Sequence, residues 1–388
     1  MPRLLLLGTG SLATAVCCAL AHVRTGDLHV TVAGRGGRAA AELAHVAGVR
    51  AHSAGGTAAF AAARTGLRPR ELRQLVTEER PDLVLVCASA HSPWERERTP
   101  SAWTDLVTAA GFGLTLPFQA DLAVRAAGAV AATGSGARLV NACFPDAVNP
   151  VLHALGLPVL CGVGNAGLVA ASLAHALDVR DTGRLRVLAH HVHLARPRGA
   201  EEEARVWLDG ARVPDPARHL APMRATPRER LNLVTGQTAA RLVTALLHGV
   251  DLDTSVPGPG GLPGGYPARV RDGKLELALP ADLDRAAATS WNRKVGARDG
   301  VDVVDGAVRF TERVRESLRR AGAHALVDGF PVRELDAART RLDALRTRLR
   351  ALPAGEPVTA ARTRLRALPA GEPVTAGRGR GAGHGGHS

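Results

Sequence analysis

Aromatic residues and lysine are scarce in this chain of 388 residues. Aromatic side chains make up 3% of the sequence, Tyr266 is its single tyrosine, and lysine occurs at two positions. Alanine, glycine and arginine dominate, as a GC-rich coding bias would produce, so abundant arginine is not in itself a functional signal. The formal net charge is +13, but the body of the chain has no basic stretch interleaved with aromatic residues, which argues against a nucleic-acid partner.

Cysteine is also sparse, and its spacing excludes two classes of site. None of the five cysteines forms a CxxC pair, so we expect reduced thiols, no disulfide framework and no metal. The sequence has no run of about 20 apolar residues free of glycine and charge, which argues against a membrane span. The segment MPRLLLLG is too short an apolar run for a signal peptide. These features predict a cytoplasmic protein.

Short apolar segments alternate with helical segments over residues 1–165. The runs RLLLLG, HVTVAGR, DLVLVCAS and ARLVNACF are typical of buried strands, and alanine-rich stretches lie between them. This alternation predicts an α/β fold with a doubly wound parallel sheet, the Rossmann arrangement.

Residues 166–335 have a different pattern, which predicts a second, α+β domain for the substrate. GRLRVLAHHVHLA is typical of a strand, the segment 228–249 of one long helix broken or bent near Gly236, and 256–280 of turns with antiparallel strands. FTERVRESLRRAGAHAL predicts an amphipathic helix.

Residues 336–388 form a third region. It contains an arginine-rich repeat, with RTRLRALPAGEPVTA at 346–360 and again at 362–376, and the glycine-rich end GRGRGAGHGGHS. We expect that end to be disordered.

A glycine pattern follows the first predicted strand. Gly8 permits a tight turn, Gly10 permits backbone to approach a pyrophosphate, and Ala13 allows the next helix to pack closely on the sheet. The free N–H groups at the start of that helix attract phosphate. The pattern therefore predicts a dinucleotide site. Its predicted contacts are Gly8, Thr9, Gly10, Ser11, Leu12 and Ala13.

The end of the second strand distinguishes between two cofactors. An acidic residue there would bind the ribose hydroxyl of NAD, but this sequence has Arg35 and Arg38. Arginine pairs with a 2′-phosphate through bidentate hydrogen bonds. The sequence therefore favours NADP, with NAD as the alternative.

Polar residues follow the strand that ends at Asn141. Asn141, Asp146 and Asn149 are expected beyond the carboxyl edge of the sheet, where ligands bind in such folds. We predict that Asn141 contacts the cofactor.

The layout from residue 4 to about 322 resembles the lactate/malate dehydrogenase superfamily. VNPV at 148–151, GVGNAGLVAASLAHALDV and LRVLAHHVHL are similar to segments of that family. The resemblance implies that Asn149 orients the substrate carbonyl and that His191 donates and accepts the proton, with His190 and His193 as alternatives. It also implies that Arg98, or Arg96, contacts an anionic group of the substrate.

Two positions depart from the family pattern. Leu168 occupies the position of the aspartate that pairs with the catalytic histidine, and Ala171 occupies that of the arginine that binds the substrate carboxylate. A histidine without a carboxylate partner is poorly oriented. These departures argue against plain lactate or malate as the substrate. Cys161 lacks a nearby histidine, so no metal is assigned. Phe118, Gln119 and Tyr266 are further candidates for the cleft.

The residues and the resemblance together predict an NADP-dependent oxidoreductase. It would transfer hydride between the nicotinamide and a carbonyl or hydroxyl carbon of a small polar molecule, a relative of the 2-hydroxy and 2-keto acids. Two alternatives remain: reductive amination of the opine or saccharopine type, and a dinucleotide-binding protein without redox turnover. The expected partner is a small-molecule substrate, and a homo-oligomer is possible.

Overall fold

Four consecutive leucines form the centre of the main sheet. Leu4–Leu7 lie in strand β1 (Arg3–Leu7) and are each at most 1% exposed, because strands flank β1 on both sides. The structure is a computed structural model that describes residues 1–355.

The main sheet has six parallel strands in the order β3-β2-β1-β4-β5-β6. This order is the Rossmann topology, in which helices cover both faces of the sheet. The predicted fold class is therefore confirmed. After β1, its strands are β2 (Leu28–Gly34), β3 (Ala58–Arg64), β4 (Leu83–Val86), β5 (Arg138–Asn141) and β6 (Cys161–Gly162).

Seven α-helices lie within residues 1–160. Helices α1 and α2 pack in one apolar cluster of the sheet, and α3, α5 and α6 pack in another, which contains Trp103 and Phe118. The helices are α1 (Ser11–Leu20), α2 (Gly37–Ala54), α3 (Pro69–Glu79), α4 (Glu95–Arg98), α5 (Ala102–Ala110), α6 (Leu116–Thr133) and α7 (Pro145–Ala154).

Three small antiparallel sheets follow. They are β7 (Leu185–Leu188) with β8 (Arg205–Leu208) and β9 (Ala211–Arg212); β10 (Leu252–Pro257) with β11 (Gly265–Arg271) and β12 (Lys274–Leu277); and β13 (Val301–Val304) with β14 (Ala307–Phe310) and β15 (Phe330–Pro331). The later helices are α8 (Asn165–Ala176), α9 (Pro216–Ala225), α10 (Arg228–His248), α11 (Arg285–Gly296), α12 (Glu312–Arg320) and α13 (Leu335–Arg350).

Helix α10 runs without interruption through Gly236, so the predicted break there is wrong. The glycine instead allows α10 to lie against α1. A Cβ atom at Gly236 would come within 2.5 Å of the Ala15 carbonyl carbon and 2.7 Å of its Cβ atom. The residue is small because two helix backbones meet at this point.

Replacing Gly236 by alanine is expected to lower the free energy of unfolding by about 1–3 kcal/mol, the usual cost of overpacking a core. The new methyl group meets backbone atoms of α1, which cannot move aside independently. The matched control is Gly48→Ala in α2, where a Cβ would meet nothing within 4 Å. That variant should gain about 0.5–1 kcal/mol from helix propensity. Chemical denaturation measures the free energy of unfolding of both variants. Equal effects would show that Gly236 is not needed for the contact between α10 and α1.

The C-terminal elements share the core of the Rossmann sheet. Leu342, Leu345 and Leu349 of α13 are buried with residues of α5 and α6, and β13, β14 and α12 join the same cluster. The first repeat copy thus begins within a packed helix. The second copy and the glycine-rich end lie outside the described residues.

Within residues 1–355, no single helix is both long and apolar enough to cross a membrane. A pair bent by 119°, Ala102–Ala110 with Phe112–Thr133, meets the length and composition requirements only when both parts are taken together. Most of that pair is buried in the core.

Candidate active site

The loop between β1 and α1 has the geometry of a phosphate cradle. Gly8 has φ +134°, and a Cβ there would lie 2.9 Å from the carbonyl carbon of Cys87 at the end of β4. Nothing lies within 4 Å of the Cβ position of Gly10, so the space in front of it is open. Helix α1 begins without a side-chain cap, which leaves N–H groups of its first turn free for a ligand.

The other residues of the predicted dinucleotide loop support this cradle. Ala13 is fully buried and lets α1 lie close to the sheet. The Thr9 methyl group lies close to Gly34 of β2. Ser11 is exposed, and its hydroxyl accepts a hydrogen bond from Asn232 Nδ2 of α10 at 3.0 Å. Leu12 packs at the edge of the core.

Three arginines lie at the ends of β2 and β3. Arg35 and Arg38 are both exposed, and Arg38 pairs with Glu42 at 2.7 Å. Arg64, which the sequence reading did not single out, lies opposite Gly34 in the strand pairing and is exposed as well. The predicted arginine pair is therefore part of a larger cationic group beside the cradle.

The three histidines do not lie on a strand. Strand β7 ends at Leu188, and His191–Leu194 form a 3₁₀ turn, so the predicted strand over GRLRVLAHHVHLA does not extend to the histidines. His193 is fully buried; both ring nitrogens contact backbone groups, and burial lowers its pKa to about 4. His190 is also buried. Of the three, His191 lines an open cleft.

His191 has a carboxylate partner. Its Nδ1 lies 3.0 Å from both oxygens of Asp299, a residue just before β13. Burial alone would lower the pKa of His191, but the carboxylates of Asp299 and, more weakly, Asp146 together outweigh it and raise that pKa above its usual value. Burial would likewise raise the pKa of Asp299, and His191 outweighs it, so that pKa is lowered. Both shifts favour the imidazolium–carboxylate form of the pair, and Nε2 of His191 makes no hydrogen bond within residues 1–355.

Two aromatic rings and a second carboxylate fix the position of His191. Phe112 stacks on the imidazole with 5.1 Å between centroids, and Phe144 meets it edge-on at 5.4 Å. The His191 backbone N–H donates to Asp146 Oδ1 at 3.0 Å. Phe144 has φ +45°, an uncommon backbone conformation for an aromatic residue. It directly precedes α7, so these contacts place His191 beyond the carboxyl end of β5.

Asn149 and Asn141, the two predicted site amides after β5, are both buried inside the protein. Asn149 lies inside α7, is fully buried, accepts from Asn141 Nδ2 at 2.9 Å and donates to the Gly258 carbonyl at 3.0 Å. Asn141 is also fully buried, and its other contacts are with the backbone of Cys143. Both amides are satisfied inside the protein and shape the turn after β5. Neither lines the open cleft at His191.

A cleft of about 530 Å³ opens in front of His191 and Asp299. We call it the His191 cleft. Its walls come from the 3₁₀ turn after β7, the start of α10, the end of α11 and the start of α12. Its charged lining residues are His191, Arg198, Glu202, Arg228, Lys294, Arg298, Asp299 and Arg313.

The loop that follows β4 carries Arg96 and Arg98, which do not line the cleft. Arg98 is exposed and pairs with Glu229 at 3.4 Å, one residue from Arg228 of the cleft. Arg96 Nη1 donates to Thr108 Oγ1 at 2.8 Å. Arg98 therefore lies near the cleft mouth but is already partnered.

Helix α13 holds this loop from outside. Arg346 donates to the Ala90 carbonyl at 2.8 Å, and Arg350 pairs with Glu95 at 2.7 Å. Glu95 is buried and lies 3.2 Å from His91 Nδ1. Burial lowers the pKa of His91 to about 4, so its ring is neutral at physiological pH. Two arginines of α13 thus attach the loop to that helix, one through a backbone carbonyl and one through the Glu95 carboxylate.

The remaining predicted site residues belong to the core. Gln119 donates to the His91 carbonyl at 3.4 Å, and Phe118 packs between His91 and Arg346. Tyr266 is fully buried, with its hydroxyl 3.3 Å from Thr289 Oγ1. Cys161 is buried, which raises the pKa of its thiol to about 12. None of these four side chains lines the His191 cleft.

No protein-family model matches this sequence, and no curated protein matches it. Solved structures do match it. Malate dehydrogenase from Archaeoglobus fulgidus in complex with NADH is 15% identical, with a TM-score of 0.52 over 81% of this chain and 99% of that chain. A lactate dehydrogenase from a Medee basin deep-sea metagenome library is 14% identical, with a TM-score of 0.50 over 82% and 98%. This chain has the lactate and malate dehydrogenase fold.

Malate dehydrogenase from Salinibacter ruber, 11% identical, agrees with a TM-score of 0.50 over 83% of this chain and 99% of that chain. The resemblance inferred from the sequence is therefore confirmed for the fold. Within it, Leu168 on α8 is 3% exposed and packs in an apolar cluster. The carboxylate that the resemblance expects on α8 comes instead from Asp299, 108 residues after His191. No spacing rule in the sequence signals this pair.

Proposed function

We propose that this chain is a nicotinamide-dependent oxidoreductase that acts on a carbonyl or hydroxyl carbon of a small polar substrate. The observation that carries this proposal is the His191–Asp299 pair, which faces an open cleft beyond the carboxyl edge of a Rossmann sheet. Ligands of such sheets bind at that edge. The missing partner of His191 was the reason to consider a protein without turnover, and Asp299 removes that reason.

The glycine loop fits a dinucleotide. The open space at Gly10 and the uncapped start of α1 would accept a pyrophosphate. The extra phosphate of NADP would bind to Arg35, Arg38 and Arg64, so we favour NADP over NAD. The solved malate dehydrogenase from Archaeoglobus fulgidus contains NADH, which supports a cofactor of this class.

The side chains of this chain supply one acid–base pair and an apolar surface beside it. His191 would donate a proton from Nε2 to the substrate oxygen in reduction and accept it in oxidation. Asp299 holds Nδ1, which orients the ring and stabilises its charged form. Phe112 and Phe144 cover the imidazole on two sides and keep water from it. The bound nicotinamide supplies the hydride chemistry.

A screen for NADPH oxidation at 340 nm tests the proposed activity. Purified full-length chain is mixed with pools of 2-keto acids, aldehydes and ketones, with and without added amines. Loss of absorbance without amines supports the proposal, whereas loss only with amines would replace it by reductive amination. Tight NADPH binding without turnover in any pool would overturn it in favour of a binding protein.

The double variant Arg35→Ala/Arg38→Ala is expected to bind NADPH about 10–100-fold more weakly and NADH unchanged. Each charge-assisted hydrogen bond to the phosphate contributes about 1.5–3 kcal/mol. Calorimetric titration of both cofactors measures the ratio. The matched control is Arg70→Ala, an exposed arginine on α3. An equal loss for NADH and NADPH would contradict the phosphate assignment.

A further inference from the structure

The His191 cleft has an excess of positive charge. Its lining contains five cationic side chains and two carboxylates. The cations are Arg198, Arg228, Lys294, Arg298 and Arg313, and the carboxylates are Glu202 and Asp299. They come from four separate segments of the chain, so the excess is a property of the folded cleft and not of one basic stretch.

The two carboxylates are already paired. Asp299 binds His191 at 3.0 Å, and Glu202 lies 3.4 Å from Arg298. Arg198 donates its backbone N–H to Glu202 at 3.3 Å, but its guanidinium forms no salt bridge with a carboxylate of residues 1–355, and neither do the side chains of Arg228, Lys294 and Arg313. Four cations of the cleft therefore face it without a counter-charge from the described part of the chain.

These unpaired cations act on one another. Arg313 donates to the backbone carbonyl of Arg298, and burial together with the nearby charge of Arg198 lowers the pKa of Arg313. Arg228 disfavours the positive charge on His191 and favours the negative charge on Asp299. Clustered like charges raise the energy of the empty cleft, and an anion would relieve that repulsion.

We propose that the His191 cleft binds a polyanion, a small molecule with at least two carboxylate or phosphate groups. A volume of about 530 Å³ is suited to a small metabolite. The identification of this polyanion as the substrate rests on the proposed function, while its binding does not. The arrangement explains how an anionic substrate is held although Ala171 replaces the arginine expected on α8. The cationic side chains that would bind it come from α10, the end of α11, α12 and the segment after β7.

Calorimetric titration of the full chain, without any nicotinamide cofactor, tests this. The probes are citrate, 2-phosphoglycolate and lactate at one fixed ionic strength. We expect citrate or 2-phosphoglycolate to bind at least tenfold more tightly than lactate, with affinity falling as salt increases. The stronger of the two distinguishes a carboxylate ligand from a phosphate ligand.

Two variants locate the binding in the cleft. Arg228→Gln/Arg313→Gln and, independently, Lys294→Gln should each weaken binding of the stronger probe at least tenfold. Arg70→Gln should leave it unchanged. These side chains are exposed, so the variants should fold, and circular dichroism verifies this. Equal binding of lactate and the polyanions, or binding that both cleft variants leave intact, would overturn the proposal. A failed NADPH titration would instead overturn the proposed function and leave this site standing.

Discussion

His191→Asn is expected to reduce kcat by about 10²–10⁴-fold, the contribution typical of a general acid–base group. Asparagine is close in size to imidazole and fits between Phe112 and Phe144, but it cannot transfer a proton at Nε2. The affinity for NADPH should not change, because the glycine loop lies on other elements. Steady-state kinetics with the substrate found in the 340 nm screen measures the loss, and calorimetry measures the cofactor affinity.

A second histidine provides the comparison for this variant. His324 is exposed and does not line the cleft, so His324→Asn should retain the activity of the unmodified chain. If His191→Asn also retained full activity, the proton would have to come from another group and the assigned role would be wrong. A parallel loss of NADPH affinity would point to a structural defect instead.

Asp299→Asn is expected to lower kcat about 100-fold or more and to change its pH dependence. In the unmodified chain Asp299 raises the pKa of His191, so the protonated donor for carbonyl reduction persists to higher pH. Reduction should be fastest below that pKa and decline above it. Without the carboxylate, burial dominates and the pKa of His191 falls. The decline should therefore move to lower pH by about one unit or more.

The pH profile separates an effect on His191 from a loss of structure. A merely structural defect lowers the rate equally at every pH and leaves the inflection where it was. Asp305→Asn, in the exposed turn between β13 and β14, is the matched control and should change neither the rate nor the profile. An unchanged inflection in Asp299→Asn would show that the two residues do not share the proton.

The sequence predicts the fold where hydrophobic patterning is local. The leucines of β1, the valines of β2 and the spacing of Gly8 and Gly10 are each sufficient within about ten residues. The alanine-rich strand β3 was not predicted, because Ala58–Arg64 has neither branched side chains nor a clear alternation. Local rules also predict the glycine turn between β1 and α1, which the structure has at the carboxyl end of the central strand.

The candidate acid–base site could be predicted only in part. His191 was named through the resemblance, but its surroundings depend on contacts between distant segments, such as Asp299 and Phe112. The prediction for Asn149 rests on the motif VNPV, which was expected at the carboxyl edge of the sheet. In the structure this motif lies inside α7, and Asn149 is about one helical turn after the start of that helix. The similarity of the motif does not fix its position in the fold, because α7 begins at Pro145 and Pro150 lies inside the helix.

The attachment of the β4 loop to α13 has a consequence for synthesis on the ribosome. Ala90 and Glu95 are translated about 250 residues before Arg346 and Arg350, which hold them. N-terminal domains generally fold first during synthesis. The Rossmann strands are therefore available early, whereas the loop after β4, near the mouth of the His191 cleft, is held in place only when the last described helix has left the exit tunnel.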